Sequence, residues 1–171
     1  MPTVPTHALA GAGLGMLLAG PDMPPGFHLL TACLGMAPDL DVVSFRFGIP
    51  YGSRFGHRGF SHSFLCAALL GVGVALAAPF GPWWVMAGIF FAVVSAHSLL
   101  DAMTDGGMGV ALFSPFDDRR YFLPWRPIRV SPIGLGVFSR WGLRALRSEL
   151  LWVWLPLGCL VALRLYFWRA G

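Results

Sequence analysis

The amino-acid sequence predicts an all-α fold, a multi-pass membrane helical bundle made of two helical hairpins plus a C-terminal helix. The first observation is composition, because 56% of the 171 residues are hydrophobic and only 12% are charged. A soluble domain carries about 25% charged residues, so this chain has too little polar surface to coat a globule in water. The second observation is a series of apolar runs, and the third is the placement of arginines between them. The length fits a single domain, residues 1–171.

Five apolar runs would form the helices. A helix needs about 20 apolar residues to cross a bilayer, with a range near 17–25. The last three runs meet this length, whereas the first two are short and would be tilted, sheltered by the others or only partly inserted. The first run is rich in alanine and glycine, which favours close helix packing in lipid. In chain order, the runs are residues 7–20, 27–37, 63–79, 83–100 and 150–168.

The arginines predict the orientation of these helices. All twelve basic residues are arginines; three lie in segment 38–62 and seven in segment 101–148, whereas the turns 21–26 and 80–82 carry none. By the positive-inside rule, the arginine-bearing segments face the cytoplasm and the turns face outward. Each hairpin would then enter from the cytoplasmic side of the membrane and return to it. A full crossing by the last run would leave the C-terminus outside.

The connector 102–148 combines aromatic residues with arginines, as in RRYFLPWRP at 119–127. Trp and Tyr beside Arg are typical of the headgroup layer, where anionic phosphates lie. The same pattern could stack nucleic-acid bases, but the neighbouring apolar runs favour lipid. Membrane lipid is therefore the expected partner, and no nucleic acid is expected. Residues 139–149 space three arginines at helical intervals, which predicts an amphipathic interfacial helix.

Histidines and aspartates collect at one end of the predicted helices, although they span about 100 residues of sequence. Polar residues at membrane depth are costly and tend to mark functional sites. Four helix ends that carry such residues on the same side therefore predict one site at the cytoplasmic membrane surface. The residues are His7 at the first run, Asp39 and Asp41 after the second, His57 and His62 before the third, and His97, Asp101 and Asp105 at the end of the fourth.

These residue types indicate a metal site. His97 and Asp101 are four residues apart and share a helix face, and Asp105 continues the stripe. Imidazole and carboxylate ligands together favour Zn²⁺, or else Mn²⁺ or Fe²⁺. With this many candidate ligands, two or three ions could be bound. The alternative is a hydrogen-bonded His–Asp pair that holds two helices together, and His28, on the opposite side, is expected to be a polar anchor.

Five short motifs, in their order and spacing, resemble the YdjM-like family. Its members are described as LexA-regulated, membrane-bound, metal-dependent hydrolases of bacteria, and the resemblance covers residues 6–133. The last apolar run, 150–168, lies beyond it as an additional helix. The motifs are TH at 6–7, PDLD at 38–41, HRGFSHS at 57–63, HSLLD at 97–101 and FSPFDDRRYFLPWRPI at 113–128.

A more distant similarity is to the zinc-dependent phospholipase C and single-strand nuclease superfamily, which is all-helical and holds three zinc ions. Asp101 would be its bridging carboxylate. No later His-x-x-x-Glu pair completes a third zinc site, so His62 and Asp105 could substitute, or the site could hold two metals. The similarity implies metal ligands at His7, Asp39 or Asp41, His57 or His62, His97 and Asp101.

The function expected from this pattern is hydrolysis of a phosphoester, with a phospholipid headgroup as the substrate class because the site opens at that depth. Bound metals would hold the phosphate and lower the pKa of an attacking water. Asp41 or Asp105 would act as general base, and Arg58 would steady the phosphate. A non-catalytic, metal-stabilised structural or regulatory protein would use the same ligands without an open position. A transporter would need polar residues at the bilayer midplane, where the third and fourth runs offer none.

Overall fold

The structure, a computed structural model, describes residues 1–132, 136 and 139–170. Within that part of the chain the regular elements are six α-helices with short 3₁₀ and π-helical turns and no β-strand, which confirms the all-α prediction. In chain order the helices are α1 (Val4–Ala19), α2 (Pro25–Met36), α3 (Phe64–Ala77), α4 (Trp83–Ala102), α5 (Arg140–Glu149) and α6 (Leu155–Ala170).

Helices α1 and α2 pack as a hairpin whose contact requires glycine. A Cβ on Gly11 would collide with the carbonyl oxygen of Thr31, and a Cβ on Gly35 would collide with that of His7. The two backbones therefore touch directly, as the small residues of the first apolar run predict. Because the contact includes the His7 backbone, it also sets the position of the first histidine of the site.

Helices α3 and α4 form the second hairpin and enclose most of the apolar core. Ser63 caps α3 by accepting a hydrogen bond of 3.1 Å from the Cys66 backbone. A Cβ on Gly71 would lie 2.9 Å from the Phe91 backbone nitrogen, so these helices also approach closely. Phe27 of α2 packs with Phe90 of α4 at the centre of the core, and both are fully buried.

The third apolar run forms a shorter helix than the sequence indicated. Helix α3 has 14 residues, because Ala78 precedes Pro79 and the residue before a proline is driven away from helical backbone angles. The third run was expected to be long enough to cross a bilayer, but the helix that it forms is shorter than that. Two helices of the described chain are long and apolar enough to cross, namely α4 and the stretch Arg140–Ala170.

The C-terminal region is one continuous helix rather than two elements. Helix α5, the amphipathic segment expected at 139–149, passes through a π-helical turn at Leu150–Trp154 into α6. The combined helix runs parallel to α1, because Thr3 contacts Glu149 at one end and Gly20 lies near Arg164 at the other. Helix α6 has no buried residue, so its apolar side chains are available to lipid.

A 3₁₀-helical segment, Ala37–Phe47, and the irregular connector after α4 cover the end of the bundle where α1 begins. Arg120 holds this cover together by donating hydrogen bonds to the carbonyls of Tyr51 at 2.9 Å and His57 at 3.0 Å. The loop that leads into the third motif, HRGFSHS at 57–63, is thereby attached to the connector. The attachment holds the loop and the connector together at that end of the bundle.

We predict that Gly11→Ala destabilises the protein, whereas Gly73→Ala does not. The new methyl at position 11 meets backbone atoms that cannot move aside, and overpacking of this kind costs about 1–3 kcal/mol. A Cβ on Gly73, also within a helix, meets nothing within 4 Å, and alanine favours helix. Thermal unfolding in detergent measures both variants, and a Gly11→Ala protein as stable as the parent would contradict the direct backbone contact.

Candidate metal centre

Five of the predicted ligands meet in one buried cluster at the end of the bundle where α1 begins. His7 comes from the first turns of α1, Asp39 from the 3₁₀ segment after α2, and His62 from the turn before α3. His97 and Asp101 come from the last turns of α4. Four of the five are at most 1% exposed, and Asp39 is 7% exposed. The structure thus brings together residues that lie up to 94 positions apart in the sequence.

The imidazoles of His62 and His97 face each other through their Nε2 atoms, which lie 3.1 Å apart. In each ring the other nitrogen already has an acceptor. His97 Nδ1 lies 2.7 Å from the carbonyl oxygen of Gly35, and His62 Nδ1 lies 3.1 Å from Asp41 Oδ2. When Nδ1 donates, the Nε2 of a neutral imidazole carries a lone pair. Two lone pairs at this distance repel unless a proton or a cation lies between them.

The carboxylates of Asp39 and Asp101 complete the surroundings of the two Nε2 atoms. Asp39 Oδ1 lies 3.5 Å from His97 Nε2 and 3.7 Å from His62 Nε2. Asp101 Oδ2 lies 3.5 Å from His62 Nε2. One donor atom from each of the four side chains falls within 4.8 Å of all the others. The group therefore presents two nitrogens and two oxygens around a common centre.

His7 lies against three of these four residues. Its ring stacks on His97 with centroids 3.7 Å apart. Its Nε2 lies 3.5 Å from Asp101 Oδ1 and 3.9 Å from Asp39 Oδ2. Each aspartate thus turns one oxygen towards His62 or His97 and the other towards His7.

Several of these buried atoms have no hydrogen-bond partner within the described residues. They are both nitrogens of His7 and all four carboxylate oxygens of Asp39 and Asp101. A buried polar group without a partner costs about 1–3 kcal/mol, and more when it is charged. So many at one point indicate that the pocket is shaped for a ligand that accepts lone pairs.

Asp41 organises the loop that carries His57 and His62. Its Oδ1 lies 2.6 Å from His57 Nδ1, and its Oδ2 accepts from the Arg58 backbone at 3.0 Å and from Ser61 Oγ at 2.5 Å. Atoms of Asp41, His57 and His62 also fall within 4.8 Å of one another. Since the Asp41 oxygens already accept these hydrogen bonds, the geometry favours orientation of His62 over proton abstraction by Asp41.

The carboxylates and imidazoles of the cluster shift one another's pKa. Burial alone would raise the pKa of Asp39, but His62 and His97 hold it below its usual value. Burial would likewise raise the pKa of Asp41, and His57 and His62 lower it. For His62, burial opposes the charged form, yet the three neighbouring aspartates raise its pKa well above 6.5. The site is therefore strongly negative and favours positive charge at His62.

Arg58 lies behind Asp101 rather than towards solvent. Its guanidinium is buried, with Nε 2.8 Å from Asp101 Oδ2 at an angle that forms no hydrogen bond. The terminal nitrogens donate to the Gly106 carbonyl at 3.2 Å and to Thr104 Oγ1 at 3.3 Å. Its backbone has a φ of 61°, a conformation that is uncommon outside glycine. This placement favours a positioning role for Arg58 over the direct phosphate contact expected from sequence.

Asp105 is not brought to the cluster. Its carboxylate lies 2.7 Å from Arg129 Nη1 and accepts from the Val130 backbone at 2.8 Å. Burial would raise the pKa of Asp105, and these two donors lower it. These two hydrogen bonds fasten the connector to the end of α4. Asp105, one of the two expected general bases, therefore faces the connector and not the cluster.

Sequence reasoning missed a buried network that fixes the start of α1. Glu149, fully buried, accepts from the Thr3 backbone at 2.8 Å and from Thr3 Oγ1 and Thr6 Oγ1 at 2.5 Å each. Trp154 Nε1 donates to Thr6 Oγ1 at 2.7 Å. Thr6 directly precedes His7, so this network orients the first ligand. The only signal in the sequence was a lone acidic residue beside an apolar run.

Comparison with known proteins gives a consistent result over the whole chain. The family model described as "YdjM inner membrane protein" matches residues 1–171. The protein is 42% identical to "Inner membrane protein YbcI" of Escherichia coli (strain K12) over 176 residues, which covers 99% of each chain. No solved structure matches. These matches confirm the family resemblance that the five motifs carry.

We predict that Arg58→Met lowers the free energy of unfolding by about 3–5 kcal/mol, since it leaves the Asp101 charge buried without its partner. The matched control is Arg54→Met. Arg54 pairs with Asp118 at 2.6 Å, but both side chains are nearly half exposed, so its loss changes stability far less. Denaturant titration in mixed micelles measures both variants. Equal losses of stability in the two variants would show that the buried Arg58–Asp101 contact contributes no more than the exposed Arg54–Asp118 pair.

Proposed function

This chain belongs to the YdjM family of inner membrane proteins, and from that premise we propose that it is a membrane-bound, metal-dependent hydrolase of phosphoesters. The ligands would be Asp39, His62, His97 and Asp101, with His7 beside them. The observation that carries the proposal is the 3.1 Å approach of two imidazole Nε2 atoms whose other nitrogens already have acceptors. A divalent cation bound by both lone pairs removes the repulsion between them.

The charge of the cluster supports one divalent ion. Asp39, Asp41 and Asp101 are buried or nearly so and carry three negative charges, against one positive charge on Arg58. Two negative charges are left, and buried charges are stable only when they are paired. One divalent cation balances them without a proton on His62. A second ion would need a further anion, which the phosphate of a substrate can supply.

The spacing of the donor atoms supports zinc. Bonds of about 2.0–2.1 Å in a tetrahedral site place the ligand atoms about 3.3 Å apart. Four of the six separations among these donor atoms run from 3.1 to 3.7 Å, and all six lie within 4.8 Å. Hydrogen bonds from the second nitrogen of a ligating histidine to a carbonyl or carboxylate are typical of metal sites. His97 with Gly35 and His62 with Asp41 follow that pattern, and Mn²⁺ or Fe²⁺ would use the same donors.

A bound divalent ion supplies Lewis-acid stabilisation of a phosphoryl oxygen and a water of lowered pKa. Residues of the chain itself orient the ligands and balance the charge around the ion. Arg58 fixes the Asp101 carboxylate, Asp41 fixes the His62 ring, and the Gly35 carbonyl fixes the tautomer of His97. His7, whose nitrogens have no partner within the described residues, is the group free to exchange a proton at the cluster.

The proposed location is the cytoplasmic surface of the inner membrane. The cluster lies at the end of the bundle that carries the arginine-bearing segments, which the positive-inside rule places in the cytoplasm. Helix α4 and the Arg140–Ala170 helix would cross fully, with the shorter helices packed against them. The substrate class is then a phosphoester at headgroup depth.

A second candidate function is a metal-stabilised structural or regulatory membrane protein. The observation that favours it is the burial of the cluster, because four of its five residues are at most 1% exposed. Structural zinc sites are closed, whereas catalytic sites keep a position for water or substrate. Metal analysis and activity separate the two candidates, since tight metal with no turnover of any phosphoester would favour the structural role.

We predict that His97→Ala abolishes metal binding and hydrolysis, and that His28→Ala changes neither. Loss of a direct ligand should lower metal affinity by more than the roughly 10–100-fold that follows loss of its outer hydrogen-bond partners. Elemental analysis of purified protein and hydrolysis of phospholipids and of bis(p-nitrophenyl) phosphate give the two readouts. An active, metal-free His97→Ala protein would contradict the proposal, and chelation followed by Zn²⁺ should restore activity only in the parent and His28→Ala.

For the orientation, we predict opposite accessibility of two engineered cysteines in a chain whose three native cysteines are replaced by alanine. In intact spheroplasts an impermeant maleimide should label Gly81→Cys, in the short turn between α3 and α4. It should label Ser53→Cys, in the loop beside the cluster, only after lysis. The reverse pattern would place the cluster on the outer face.

A further inference from the structure

A cavity of about 460 Å³ adjoins the cluster at the start of α1. Its walls come from four parts of the chain: the start of the chain with Val4 of α1, Val42 of the 3₁₀ segment, Pro132 of the connector, and Leu146 of α5. Its volume lies within the range of roughly 300–1,000 Å³ that is usual for small-molecule sites. Because separate segments of the chain line it, the cavity is a product of the tertiary fold rather than a groove on one helix.

Asp39 belongs both to the cavity wall and to the cluster. It is also the most exposed of the five clustered residues, at 7% against at most 1% for the others. Asp39 therefore links the cavity wall to the other donor side chains, although its two carboxylate oxygens are themselves buried. A group at the Asp39 end of the cavity lies beside the cluster.

The lining of this cavity suits hydrocarbon rather than an ionic group. Apart from Asp39, the side chains that face it are apolar or carry hydroxyls, and the Thr3 hydroxyl is already committed to Glu149. Polar groups buried against such a surface would lose hydrogen bonds to water without replacement. A phosphate is best placed at the Asp39 end, where a bound cation would offset the carboxylate charge.

The position of the cavity fits an occupant that comes from the bilayer. Leu146 lies on α5, which continues without a break into the lipid-exposed α6. Arg144 and Arg147 flank Leu146 on the exposed side of α5. Basic side chains next to an apolar opening match the boundary between anionic headgroups and acyl chains.

We propose that this cavity holds the glycerol backbone and first acyl carbons of a phospholipid whose phosphate lies at the Asp39 end. This inference rests on the proposed hydrolase function and narrows its substrate class to phosphoesters that carry hydrocarbon chains. Specificity for lipid over water-soluble phosphodiesters then comes from the apolar walls at Val42 and Leu146, and not from the cluster itself.

The kinetic test fills the cavity from two different elements, with Leu146→Trp and Val42→Phe. The substrates are dioleoyl phosphatidylglycerol in detergent micelles and bis(p-nitrophenyl) phosphate. We expect the ratio of kcat/KM for lipid to that for the small diester to fall about tenfold or more in both variants. The control is Leu143→Trp, an exposed position on the same helix, which should leave the ratio unchanged. An unchanged ratio in both cavity variants would overturn the inference.

The binding test does not depend on turnover. A phosphatidylglycerol with a photoreactive diazirine near the start of one acyl chain is irradiated with the metal-loaded protein, and the labelled peptides are identified. We expect labels on the segments that contain Val42 and Leu146, lost in Leu146→Trp and kept in Leu143→Trp. Labels confined to α6 would overturn the cavity assignment. Labels in the cavity without hydrolysis of either substrate would instead uphold it and refute the hydrolase.

Discussion

An excess of buried negative charge is the constraint on which the rest of this structure depends. Asp39, Asp41 and Asp101 converge where the described residues offer one buried guanidinium, that of Arg58, and such an arrangement is stable only with further positive charge between them. The facing imidazoles of His62 and His97 mark where that charge belongs. Three features follow from this need for positive charge. They are the burial of Arg58, the raised pKa of His62 and the hydrogen bonds by which Asp41 holds the loop.

The outer contacts of the cluster explain why the loops around it are ordered although they lack regular structure. Asp41 accepts hydrogen bonds from the loop that carries two histidines, and Arg120 fastens that loop to the connector. Glu149 does the same for the start of α1. His62, His97 and the start of α1 are thus each held by a neighbour from another segment, an arrangement of outer contacts that is typical of metal sites.

Much of this could be predicted from sequence, because apolar periodicity and residue type determine it. The helices follow the apolar runs closely, and the convergence of His7, Asp39, His62, His97 and Asp101 follows from helices that begin and end on one side. Distances between segments could not be predicted. Asp105 lies one turn beyond Asp101 yet turns towards Arg129, and Arg58 points inward because its backbone adopts a left-handed conformation. The role of Glu149 depends on the long-range approach of α5 to α1, which no local pattern encodes.

Gly35 has two tasks that cannot be separated. Its missing side chain lets α1 and α2 touch at His7, and its carbonyl accepts the hydrogen bond that sets the tautomer of His97. The crossing of α1 and α2 and the tautomer of His97, on α4, therefore both depend on this one residue. Anyone who wished to graft this cluster onto another bundle would have to import that helix crossing together with the side chains, since the ligands alone do not specify it.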